Sequence, residues 1–107
     1  MKKYLIKGNY NSDGIKGLLK EGGSGRKSAI EKMIVSMGGK VESFYWALSE
    51  EVAFVIIELP DDVSALSVVL TVNSVGIGNI SMTPLLSEAD IDEASKKSVS
   101  YTAPGKS

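Results

Sequence analysis

The stretch KVESFYWALSEEVAFVIIEL, residues 40–59, decides the fold. Val41, Ser43, Tyr45 and Ala47 alternate with Glu42, Phe44, Trp46 and Leu48, and Ser49-Glu50 then makes a turn. A second run from Val52 follows that is apolar at nearly every position, so the pattern predicts a β-hairpin. A strand wet on one side alternates apolar and polar residues, whereas Val52-Ala53-Phe54-Val55-Ile56-Ile57 has no polar side. Both faces of the sheet that holds it therefore need cover.

Working outward, Tyr4, Ile6, Gly8 and Tyr10 repeat with a period of two and predict a strand before the hairpin. Ser12 is the expected cap of a short helix from Asp13 to Glu21. After the glycine-rich turn Gly22-Gly23-Ser24-Gly25, Ser24 is the expected cap of a second helix, whose Ile30, Met33, Ile34 and Met37 recur at core-facing spacing. Gly38-Gly39 ends it. Beyond the hairpin, Pro60-Asp61-Asp62 stops the strand and opens a helix with Val63, Leu66, Val69 and Leu70 on one stripe, and Val68 and Val72 widen its apolar surface. Asn79 starts the last strand, with Pro84 marking a sheet edge. Ser87-Glu88-Ala89-Asp90 has the form of a capping box before a short polar helix, and residues 98–107 read as an extended tail.

The order β, α, β, β, α, β within one 107-residue domain predicts an α+β fold. Its simplest form is a ferredoxin-like βαββαβ sandwich, a four-stranded antiparallel sheet with both helices on one face and a short helix appended. A chain of this length buries roughly 65% of the surface it exposes when unfolded. The uncovered sheet face predicts a homodimer or higher homo-oligomer, closed by a two-fold partner stacking sheet on sheet.

Composition narrows the chemistry. The chain has neither cysteine nor histidine, which removes disulfides, thiolate nucleophiles and the commonest general base and metal ligands. No metal or cofactor is expected. Net charge is −1, distributed as +6 over residues 1–40 and −7 over residues 41–107. With a single arginine and a pI near 5.4, nucleic acid is not an expected partner. Lys7 interrupts the apolar start and no run approaches a membrane span, so no membrane partner is expected and the cytoplasm is the expected compartment.

Lys3-Tyr4-Leu5-Ile6, the block from Lys16-Gly17-Leu18 to Gly22-Gly23-Ser24-Gly25-Arg26, Gly38-Gly39-Lys40, Phe44-Tyr45, Leu59-Pro60-Asp61 and Lys96-Lys97-Ser98-Val99-Ser100-Tyr101 together resemble the GYD domain family. The resemblance implies a dimeric α+β barrel of no assigned activity and carries no catalytic residue. The Gly-Tyr-Asp element of the family belongs near the hairpin turn. This chain reads Ser49-Glu50-Glu51-Val52 there, so no role transfers from that motif.

Three groups of residues are candidates for a site. Gly22, Gly23, Ser24, Gly25, Arg26 and Lys27 combine a helix start with two cations and form an anion-binding hypothesis, against the simpler reading of glycines that permit a bend. Tyr4, Tyr10, Tyr45, Trp46 and Phe54 would line an apolar pocket or pack a dimer interface. Glu42 and Glu58 lie in apolar strands and, with Tyr45, are the candidate acid and base of a catalytic alternative. Gly105-Lys106-Ser107 lacks the first glycine and the following helix of a P-loop. The chain therefore reads as a homo-oligomeric binding or sensing module for a small anionic or apolar ligand. The alternatives are a cofactor-independent oxygenase or isomerase and a structural subunit without ligand.

Overall fold

A computed structural model describes residues 1–106. Seven elements follow one another: β1 (Lys2–Tyr10), α1 (Ser12–Ser36), β2 (Lys40–Trp46), β3 (Val52–Leu59), α2 (Asp62–Asn73), β4 (Gly78–Leu85) and α3 (Glu88–Ser95). The four strands make one antiparallel sheet in the order β2-β3-β1-β4. The greasiest strand of the sequence, β3, is thus central, between β2 and β1. Pro84 lies on the edge strand β4, where its missing donor costs no ladder bond to a second neighbour. The β2 register slips between Val41 and Ser43, a bulge that leaves Glu42 without a partner on β3.

Register puts Tyr4, Ile6 and Gly8 of β1 beside Ile57, Val55 and Ala53 of β3 on one face. The core forms there: Tyr4, Ile6, Val55, Ile57 and Leu59 pack against Ile34 of α1 and Ala65 and Val68 of α2. The opposite face carries Leu5, Phe54 and Ile56, all half-buried, together with Lys3, Lys7 and Glu58. Ion pairs cross that face between Lys3 and Glu42 at 2.9 Å and between Lys40 and Glu58 at 3.2 Å.

Several local expectations are corrected. Asn11, not Ser12, caps α1, its Oδ1 accepting from the Gly14 amide at 3.0 Å. Ser24 caps nothing, because the glycines do not form a loop: α1 continues through them with a single break at Gly22, whose φ of 79° excludes side chains with a Cβ from easy occupancy. The expected stripe of α2 is also turned around. Ala65 and Val68 face the core, while Val63, Leu66 and Leu70 lie exposed on the outer side. Both sides of this helix are apolar, so periodicity alone cannot orient it.

The α1–β2 connection is tight. Gly38 has the positive φ of a helix stop, and any Cβ on Gly39 would collide with the Glu58 carbonyl oxygen, so only glycine lets the chain pass that close to β3. Among the described residues no helix is long and apolar enough to cross a membrane. From residue 86 to residue 106 every residue is exposed, and the molecule extends 59 Å along its long axis against 33 and 25 Å across.

Candidate functional site

Where β1 ends and β4 begins, the helices stand apart from the sheet. The Asn73 side chain, at the end of α2, accepts from the Ile80 amide at 2.7 Å and donates to the Ile80 carbonyl at 3.1 Å, fixing that helix to β4. Asn11, at the start of α1, donates from its side chain to the Gly76 carbonyl at 2.7 Å and from its backbone to the Ile77 carbonyl at 3.0 Å. The two asparagines thus tie the end of α2 to β4 and the start of α1 to the segment that leads into it. Their side chains satisfy backbone groups there that no strand pairs.

Between these ties lies a cleft of about 400 Å³, within the range of small-molecule sites. Its floor is Ile6, Val55 and Ile80 of the sheet. One wall is Arg26, Ala29, Ile30 and Met33 of α1, and the other is Thr71 and Val72 of α2 with Val75 and Ile77. Tyr10, Asn9 and Asn79 border it. The lining is almost wholly apolar, and Arg26 is its only charged residue.

Arg26 is the anomaly. Its Nε is buried without a hydrogen-bond partner, although a guanidinium presents five donors in a fixed fork. The nearest carboxylate oxygen, Glu21 Oε2, is 3.6 Å away, an ion pair too long to be a hydrogen bond. Glu21 lies on the other side of the Gly22 break, so the kink sets this separation. The side chain is half-buried and its charge is paired with Glu21, so the unmet group is the single Nε donor, and a buried donor without an acceptor costs free energy until one arrives. Tyr10 belongs to the same site: burial pushes its phenol above the ordinary value, the Arg26 charge works against that rise, Glu21 adds to it, and hydrogen bonding to the Arg26 side chain again opposes it. The Tyr10 ring also meets Trp46 edge-on, with centroids 5.3 Å apart.

Two of the sequence-derived groups therefore meet here in part. Arg26 comes from the anion hypothesis and Tyr10, backed by Trp46, from the apolar one. Gly22, Gly23, Ser24 and Lys27 are exposed, and Gly25 is half-buried against the Glu21 side chain. Tyr4 is core, with its hydroxyl donating to the Asp62 carboxylate. Tyr45 and Phe54 are register partners on the opposite face of the sheet, where Lys7 lies 5.8 Å over the Phe54 ring. Glu42 and Glu58 are ion-paired with Lys3 and Lys40, and neither lines the cleft. Sequence reasoning missed Ala29, Thr71 and Asn79. The available signal was size: Ala29 and Gly78 are small residues among large apolar neighbours, and small residues at a helix–sheet junction leave space.

The family model of the GYD domain matches residues 4–95 of the chain. No curated protein and no solved structure matches it.

Proposed function

The chain belongs to the GYD domain family, and from that premise we propose that it is a homodimeric binding module for a small molecule with an apolar body and one anionic group. The observation that carries this reading is the buried, unpartnered Nε of Arg26 at the wall of an apolar cleft. A carboxylate, sulfonate or phosphate there would accept from the guanidinium in a charge-assisted pair, and the rest of the ligand would remove Ile30, Met33, Val72 and Ile80 from water. Tyr10 would border the anionic end with its phenol protonated at neutral pH, a donor and not a competing charge.

The dimer is part of the same reading, in the form of a ferredoxin-like sandwich whose two open faces stack into an α+β barrel. It is supported by the β-α-β-β-α-β order with β1 and β3 central, and by Leu5, Phe54 and Ile56 on the face the helices leave uncovered. The cytoplasm is the compartment that fits a chain without cysteine.

Binding is tested by calorimetric titration with 2-naphthoate and its neutral counterpart 2-naphthalenemethanol. Saturable binding of the acid, at least tenfold weakened by Arg26→Gln, is the expected result. Equal binding of acid and alcohol, or none at millimolar ligand, would remove Arg26 as the anchor.

A further inference from the structure

Arg26 Nε is shut away from solvent, so the acceptor of a ligand reaches it only if something beside it moves. The nearest carboxylate belongs to this chain: Glu21 Oε2, at 3.6 Å. Glu21 precedes the break that the positive φ of Gly22 puts into α1, and its side chain folds back over Gly25. A Cβ at Gly25 would come within 2.8 Å of Glu21 Cγ, so glycine there leaves the seat on which the Glu21 side chain lies. At 3.6 Å the carboxylate stops short of a hydrogen bond, and it covers the donor without satisfying it. Its charge also acts on the Tyr10 phenol, which borders the cleft together with Arg26. A carboxylate beside both groups stands where the anionic end of a ligand would go.

We propose that Glu21, seated on Gly25, is an internal stand-in for the ligand's anion: it holds Arg26 until it is displaced, and it yields only to an acid whose apolar body fills the cleft. The proposal rests on the binding reading above and adds the residue that sets its specificity. Charge favours displacement over addition. Arg26 and Glu21 together are neutral, and a second carboxylate arriving beside Glu21 meets a like charge that one guanidinium does not offset. Exchanging one carboxylate for another gains little at Arg26, because an ion pair replaces an ion pair. The driving force then comes from the body of the ligand, as Ile30, Met33, Val72 and Ile80 leave water. A small anion lacks that body, and a neutral apolar molecule brings nothing to put in place of Glu21. Both halves of the ligand are required at once.

The test uses the full chain and calorimetric titration with 2-naphthoate, with circular dichroism verifying the fold of each variant. Glu21→Ala removes the carboxylate and the cover together and is expected to tighten binding at least fivefold. Gly25→Ala keeps the charge of Glu21 but unseats its side chain, and is expected to tighten binding several-fold. In the double variant Gly25→Ala has no Glu21 Cγ to meet, so it should add nothing to Glu21→Ala. Glu31→Ala, an exposed carboxylate of the same helix, makes the same change in net charge and should leave the affinity where it is. Acetate at millimolar concentration should leave the Arg26 Nε–Hε correlation of the unaltered chain in place and shift it in Glu21→Ala. Arg26-dependent binding that Glu21→Ala leaves equal or weaker, or that Glu31→Ala tightens as much, overturns the stand-in and leaves the binding reading intact. Gains that add in full in the double variant overturn the seat on Gly25 and the stand-in as stated. Absence of 2-naphthoate binding in both the unaltered chain and Glu21→Ala overturns the binding reading and the stand-in with it.

Discussion

The layer between sheet and helices has two ends built from the same strands, and they are finished differently. At one end Ile34, Ile57 and Leu59 are fully buried, and Gly39 brings the backbone hard against β3. At the other, α1 offers Ala29 and Arg26 instead of another large aliphatic residue, and a cleft of about 400 Å³ opens. The sealed end is packed without space and the open end leaves a cleft. Each has a tyrosine: Tyr4, buried, donates to Asp62 at the sealed end, and Tyr10, half-buried, borders the cleft beside Arg26.

The comparison breaks most visibly at Ile34. Truncation by Ile34→Ala removes a fully buried side chain from the sealed end and is expected to lower stability by about 2–5 kcal/mol in urea denaturation. A loss below about 1 kcal/mol would mean that the two ends are packed alike. The next largest effect is expected at Gly22, whose positive φ produces the break in α1. Gly22→Ala strains that conformation by about 1–3 kcal/mol, measured the same way, and because the break sets the distance from Glu21 to Arg26 it should also weaken binding of 2-naphthoate.

The two tyrosines sharpen the contrast through pH. Burial first, and then the bond to Asp62, push the Tyr4 phenol up to about 12 from an ordinary 10.0. A raised value means that the fold favours the neutral phenol, so this contribution is complete below pH 10 and is lost as pH rises towards 12. Urea denaturation across that window should show falling stability, and Tyr4→Phe should flatten the dependence. At the open end Arg26→Gln removes the charge that opposes the rise of Tyr10, so Tyr10 should titrate higher in the variant by ultraviolet absorbance. The smallest effect on stability is expected from Ala29→Leu, which extends a side chain into the cleft. It should gain about 0.5–2 kcal/mol while abolishing naphthoate binding, separating occupancy of the cleft from integrity of the fold.

Much of the architecture was legible because turn chemistry punctuates it. Gly38-Gly39, Pro60-Asp61 and Ser87-Glu88-Ala89-Asp90 each mark a real boundary, and the period-two runs of β1, β2 and β4 lie in strands. The continuity of α1 was not legible. Local propensity reads Gly22-Gly23-Ser24-Gly25 as a loop, but packing of Ile30, Met33 and Ile34 on the sheet, with the Arg26 to Glu21 ion pair, holds helix on both sides of one break. The facing of α2 was hidden because Ala65 and Val68, which do the packing, are less hydrophobic than the exposed Leu66 and Leu70. For the site, Arg26 and Tyr10 were identified separately and for different reasons. Their meeting depends on the angle at which α1 leaves Gly22, which no periodicity encodes.

In the function proposed above, Arg26 receives an anion brought by an apolar ligand. As the only arginine in the chain, it gives a single Nε–Hε correlation in a ¹⁵N spectrum, identifiable without further assignment. Titration with 2-naphthoate should shift that correlation saturably, and 2-naphthalenemethanol at the same concentrations should leave it in place. A correlation unmoved by millimolar 2-naphthoate, or moved equally by both compounds, would contradict the account.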